Sequence, residues 1–197
     1  MNDNVIDEAL SADNKKSKTS IVRDIYDWLE IFIVSVAVVF IMFSFVARIA
    51  VVDGSSMLPT LHNGDKLVVA QLFYKPKQGD IVVCQSETYG LDRPLVKRVI
   101  ATGGQTVTLD VENWRVLVDG IPLSEDYVFF RQGVPMHGWD YDTETITVKE
   151  GHVFVMGDNR NDSLDSRSFS VGQIDERYIV GKVIFRFTPI KDFGFIK

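Results

Sequence analysis

From Ile31 to Ala47 the chain reads "IFIVSVAVVFIMFSFVA", 17 residues without a charge. With Trp28, Leu29 and the apolar residues after Arg48, the stretch reaches about 20 residues, enough to cross a hydrocarbon core of roughly 30 Å. It is apolar on every face, whereas a buried core helix concentrates its apolar side chains in one stripe. Trp28 suits one membrane interface, and Arg48 can snorkel to the other. A cleaved leader fits less well. The run is too long for a leader core, and a cut after Ala50 would put Arg48 inside the recognition site. Lys15, Lys16, Lys18 and Arg23 precede the run, and after Arg48 no basic residue comes until Lys66. That asymmetry holds the N-terminus in the cytoplasm and sends the rest outside. The pattern predicts a loose cytoplasmic tail over 1–27, a transmembrane anchor over 28–50 and an extracytoplasmic domain over 51–197.

Beyond residue 50 the pattern shortens to strand-length segments with turn residues between them. "KLVVAQLF" follows the turn "HNGD", "DIVVCQ" follows "PKQG", and "PLVKRVIA" ends at Gly103-Gly104. "TVTLDV" and "WRVLVDGIPL" form a hairpin region with an Asp119-Gly120 turn. "ETITV", "KEG" and "HVFVM" predict a further hairpin, and "GKVIFRF" is the last strong strand. No long amphipathic helix interrupts them. The expected architecture is all-β: an antiparallel β-sheet domain, preceded by one N-terminal transmembrane helix. The less regular stretch from about 105 to 143 carries Trp114, Phe129, Phe130 and Trp139 and predicts a small cap subdomain.

Composition narrows the classes of function. A net charge of -6 over 197 residues excludes a basic nucleic-acid surface. One cysteine, Cys84, permits neither an internal disulfide nor a cysteine-based zinc site, and in "DIVVCQ" it reads as a small buried hydrophobe. No cofactor or metal motif is present.

Two adjacent serines, Ser55 and Ser56, follow the apolar run in "VVDGSSMLPTL". A serine attacks a carbonyl only if a base takes its proton. Of the three histidines, His62 lies in a turn, where solvation is usual, His137 lies in an irregular segment, and His152 opens a strand. Lys97 is the other candidate. Strand alternation in "PLVKRVI" puts it on one face with Leu95 and Val99. Two readings of it stand side by side. Lys97 and Arg98 could be exposed charges that protect an edge strand. Alternatively, Lys97 is desolvated by its apolar neighbours, loses affinity for its proton and serves as a neutral base. A third stretch, "MGDNRNDSLDSR", is dense in acids and arginines. Its spacing does not match a calcium loop. Ion pairs that hold the loop in one shape suit it better.

Three stretches, "SMLPTL" (Ser56 to Leu61), "KRVI" (Lys97 to Ile100) and "GDNRNDSLDSR" (Gly157 to Arg167), resemble in order the signature boxes of bacterial type I signal peptidases. The resemblance spans about residue 28 to the C-terminus, and the last box is its most specific part. It implies a Ser/Lys dyad, with Ser56 as nucleophile and Lys97 as general base. It also implies that Ser163 orients the lysine, and that Asp158, Arg160, Asp165, Arg167 and Arg98 shape the site. Lysine at the base position resembles the bacterial type, not that of the endoplasmic reticulum. The implied substrates are secreted preproteins, cut after small residues at the -1 and -3 positions. The implied partners are those preproteins and the lipid bilayer, without nucleic acid.

The chain departs from the family pattern twice. Some members carry a serine two residues before the nucleophile whose hydroxyl assists the oxyanion hole, and here that position is Gly54. Many members continue after the lysine box with "GLPGD", where this chain has "ATGGQ" from Ala101 to Gln105. Two rival readings remain. A self-cleaving repressor protease would need a DNA-binding module in place of the anchor. An inactive relative serving as a membrane-tethered assembly factor would lack the serine or the lysine, and both are present.

Overall fold

The computed structural model describes residues 23–41, 47–85, 93–129, 134, 136 and 145–196. The chain divides into two compact units, Met1–Phe45 and Val46–Lys197. In the first, residues 23–41 are helical and their side chains are exposed. Among the described residues, no helix is long and apolar enough to cross a membrane. The end of the predicted anchor is corrected. Ala47–Val51 is a β-strand, β1, paired along its length with β2 (Lys66–Ala70). An apolar segment with an available strand neighbour satisfies its backbone sideways, and hydropathy alone does not separate that case from a helix. Residues 42–46 lie outside the described residues.

The second unit is built on β1, β2, β3 (Ile81–Cys84), β4 (Leu95–Thr102), β5 (Thr106–Asp110), β6 (Arg115–Val118), β7 (Ile121–Pro122), β8 (Thr145–Thr147), β9 (His152–Met156), β10 (Ile174–Asp175), β11 (Ile179–Thr188) and β12 (Gly194–Phe195). They form two antiparallel sheets. The larger has the order β1-β2-β11-β3-β4-β9-β10, with β12 added on β11, and the smaller has the order β7-β6-β5-β8. Every residue of β3 is buried, and β4 is buried from Lys97 to Ala101. Such central strands read as continuous apolar runs because both faces are covered. One face packs Val82, Cys84, Val99, Val153 and Val155 together, and a separate core gathers Val52, Met57, Leu61, Leu67 and Val69. A third core joins Ile100, Phe154 and Met156 to Val107, Leu109, Val116 and Val118 of the smaller sheet.

The smaller sheet takes β5, β6 and β7 from the 105–143 region expected to be the cap, and β8 from beyond it. The Asp119-Gly120 turn joins β6 to β7 with φ of 52° and 77°. Two left-handed residues in succession match the right-handed twist of a two-residue hairpin. "ATGGQ" also closes a turn: Gly104 takes φ 84°, and the Gln105 side chain accepts from Thr102 N–H at 3.0 Å. The predicted β8–β9 hairpin is corrected. β8 pairs with β5 in the smaller sheet, and β9 pairs with β4 in the larger. The "KEG" turn therefore passes the chain from one sheet to the other. Trp114 packs against the shared core, and Phe129 is 45% exposed. Phe130, Trp139 and His137 lie outside the described residues.

Candidate active site

Ser56 sits just after a bend at Gly54, whose φ of 105° is a conformation that favours glycine. The next residue, Met57, is fully buried in the core beside Val52 and Leu61, which anchors the serine turn to the sheet. Lys97 reaches the serine from β4, which lies inside the sheet between β3 and β9. The edge-strand reading of Lys97 fails for that reason. Its side chain is 3% exposed, and Nζ stands 2.6 Å from Ser56 Oγ and 3.2 Å from Val96 O.

Burial pushes the Lys97 amine below its ordinary pKa. Asp165 and Cys84 oppose the shift, and Arg167 adds to it. The arginines decide how strongly the acids can oppose it. Arg167 forks Asp165 with Nε and a terminal nitrogen, each at 2.8 Å, while Arg98 forks Asp158 at 2.9 and 2.8 Å. Each carboxylate near Lys97 is thus already balanced by a guanidinium, so neither holds a proton firmly on the amine. Burial pushes the Asp165 carboxyl up, but Arg167, the Gly157 N–H and Ser163 together outweigh that and the carboxyl ends below its usual range. Burial likewise raises the Cys84 thiol to about 12, as expected for a packed hydrophobe.

The last box forms a braced loop after β9. Asp165 accepts from Gly157 N–H at 3.0 Å, and Arg167 donates to Arg160 O at 2.9 Å. Arg160 pairs with Glu125, a residue of the segment after β7 that the sequence did not single out. Arg98 also lies 3.8 Å from the centre of the Tyr127 ring and donates to Gly79 O at 2.8 Å. Thr60 Oγ1 donates to Asp158 at 2.5 Å, tying the serine turn to the loop. Asn159 adds two more ties, from its backbone N–H to Ser56 O at 3.0 Å and from its side chain to Ser55 O at 3.2 Å. Asn159 could have been picked out only by its place inside the box.

Ser163 departs from its expected role. Its hydroxyl is buried and has no hydrogen-bond partner, on Lys97 or elsewhere among the described residues. It lies close enough to Asp165 to favour the charged carboxylate, without reaching bonding geometry. His62 is exposed, and His152 contacts Glu150 O, so neither described histidine bonds Ser56. Among the described residues, no group of acids, histidines or cysteines could hold a metal ion. The donors around Ser56 are largely committed. Gly54 N–H donates to Asn63 at 2.9 Å, and the Ser55 hydroxyl donates to Asp162 at 2.6 Å. The Ser56 backbone N–H donates to no described group. A cleft of about 220 Å³ opens over Ser56 and Lys97 between residues 51–57, residues 94–97, Asp162 and Leu164.

A buried amine touching a serine hydroxyl at the floor of a cleft is the equipment of a serine hydrolase. The family model described as signal peptidase, peptidase S26, matches residues 25–188. The chain belongs to this family. Its relatives include a probable signal peptidase I-1 of Synechocystis sp., 40% identical, with 76% of each chain covered. Signal peptidase I of Bacillus amyloliquefaciens is 34% identical, over 85% of this chain and 87% of that one. Among solved structures, a signal peptidase I from Enterococcus faecalis V583 is similar at 30% identity and a TM-score of 0.45, over 55% of this chain and 97% of that one. The protein is therefore a serine peptidase of the bacterial signal peptidase I type, a hydrolase of signal-peptide processing.

Proposed function

We propose that Ser56 and Lys97 form the catalytic dyad of a membrane-anchored endopeptidase, which frees secreted preproteins from their signal peptides by cutting after small residues at -1 and -3. The observation that carries this reading is the 2.6 Å approach of Lys97 Nζ to Ser56 Oγ by a lysine that is 3% exposed. A neutral amine in that place takes the hydroxyl proton as Oγ attacks the scissile carbonyl. The resulting ammonium returns the proton to the departing amine. Water then attacks the acyl-enzyme as Lys97 accepts its proton, the ester bond breaks, and the proton passes to the departing Ser56 Oγ. In this reading the Ser56 backbone N–H, which donates to no described group, stabilises the oxyanion, while Gly54 N–H and the Ser55 hydroxyl are engaged elsewhere. Arg98, Asp158, Arg160, Asp165 and Arg167 act as positioning residues through their ion pairs, and Ser163 packs beside them.

The apolar run before residue 47 and the basic residues preceding it support an anchor with the N-terminus in the cytoplasm and the catalytic unit outside. Anchoring confines enzyme and preprotein to one thin layer, which raises their effective concentration. The test is cleavage of a preprotein bearing an A-x-A site by the full chain in detergent. Wild type should cut at the site, and Ser56→Ala and Lys97→Ala should not. Abundant cleavage by Lys97→Ala would overturn the dyad, and activity retained in Ser56→Ala but lost in Ser55→Ala would overturn the choice of serine.

A further inference from the structure

The cleft at Ser56 leads in two directions of different chemistry. Toward β1 it continues into a groove of about 580 Å³ with aliphatic walls from Ile49, Val69, Val83, Val96 and Val180 and a polar rim of Arg48, Asp53, Gln85 and Arg93. The groove and the cleft share Val51, Asp53, Pro94 and Val96. On the other side the cleft ends at Asp162, which also walls a second recess of about 350 Å³. The described lining of that recess is Phe129, Val134, Asn159, Asn161 and Asp162.

Two acceptors, Asn159 and Asp162, stand in this second recess beside Phe129, Val134 and Asn161. Asn159 is 5% exposed, and its Oδ1 is buried without a hydrogen-bond partner. The amide cannot turn to relieve that, because its nitrogen donates to Ser55 O and a flip would set oxygen against oxygen. A buried acceptor without a partner is costly, and its usual meaning is a site completed from outside. Asp162 stands at the mouth, exposed, with its carboxylate fixed by the Ser55 hydroxyl. No lysine or arginine among the described residues forms an ion pair with it.

We propose that Asn159 and Asp162 form the subsite for the leaving-group side of the cut bond, and that it selects substrates carrying lysine or arginine within the first two residues after that bond. The inference rests on the peptidase reading of Ser56 and Lys97. A bound peptide must extend both ways from Ser56. Its small residues before the bond suit the aliphatic groove, which directs the residues after the bond past Asp162. There Asn159 Oδ1 accepts a backbone N–H of the departing segment, and Asp162 faces its first cationic side chain. Asn159 also holds Ser55 O and Ser56 O, so the subsite is in register with the nucleophile.

The experiment uses the full chain in detergent and peptides that share one A-x-A site. The peptides carry lysine, glutamine or glutamate at the first or second residue after the bond. Lysine should exceed glutamate in kcat/KM by about fivefold at low salt, the size of an exposed charge pair. The ratio should shrink toward one at high salt. In Asp162→Asn, whose amide oxygen can still accept from Ser55, the ratio should fall to about one at any salt. Because it compares two substrates on one enzyme, the ratio does not depend on how far the variant lowers activity overall. A wild-type ratio near one, or a ratio unchanged in Asp162→Asn, overturns the subsite and leaves the dyad standing. Failure of wild type to cut any of the peptides overturns the peptidase reading, and the subsite with it.

Discussion

Replacing Gly157 by alanine should disable the enzyme without altering the side chain of Ser56 or Lys97. Gly157 directly follows β9 and stands where the box loop meets the serine turn. A Cβ there would lie 2.6 Å from Ser163 Cβ, and closer still to Ser163 Oγ and the Ser56 carbonyl oxygen. The Ser163 hydroxyl can rotate away, but a backbone carbonyl cannot. Restoring ordinary contact requires the Ser56 backbone to retreat by roughly 1 Å. That shift also disturbs the 3.0 Å bond from Asn159 N–H. A displacement of that size at a reacting group costs about 10²-fold in rate. Overpacking adds about 1–3 kcal/mol of destabilisation, or roughly 2–4 °C in unfolding midpoint per kcal/mol. Steady-state kinetics on an A-x-A peptide, with thermal unfolding alongside, separates the two effects. The expected result is a kcat about 10²-fold down in a protein that remains folded at the assay temperature. Adding Ser163→Gly removes only the Ser163 contact and should not restore activity. A Gly157→Ala enzyme within threefold of wild type would refute the reasoning, and full recovery in the double variant would place the constraint on Ser163 instead.

Burial lowers the Lys97 pKa, so the amine gives up its proton at a lower pH than a free lysine does. With Lys97 as base, a profile of kcat/KM against pH should rise through an acid limb below about 10.4 and level off above it; a limb at about 10.4 would mean a solvated amine. Asp165→Asn leaves the guanidinium of Arg167, itself 3% exposed, without its counter-charge. It should cost about 3–5 kcal/mol in chemical denaturation, and a loss under 1 kcal/mol would show that the pair is not needed. Ser55→Ala removes a hydroxyl already donated to Asp162. Its kcat should fall by less than about tenfold, whereas a loss of about 10²-fold or more would mark the Ser55 hydroxyl as an oxyanion donor.

The segments of the β domain were legible because alternation and turn chemistry are local. The Asp119-Gly120 hairpin and the buried run of β3 follow from short windows of residues. Alternation also placed Lys97 on the face of Leu95 and Val99. Whether that face was solvated depended on which strands flank β4, and strand order is not encoded within the strand. The β8–β9 hairpin was misread for the same reason. "KEG" carries a turn signal, but the partners of its two strands, β5 and β4, lie far off in sequence. The apolar letters of Ala47–Val51 allowed either a helix or a strand until β2 supplied a backbone partner.

By itself the sequence determined the period of each segment, the glycines that turns require and the residue types of the site. The ordered boxes pointed to Ser56 and Lys97 although 41 positions separate them. Only the tertiary structure decided their meeting, and with it the burial that weakens the lysine's hold on its proton. It alone paired Arg160 with Glu125, left Ser163 off Lys97, and set the Ser55 hydroxyl on Asp162. The physical reason is range. Propensity and periodicity act over a few residues, whereas desolvation and ion pairing depend on whatever the folded chain brings within a few ångströms.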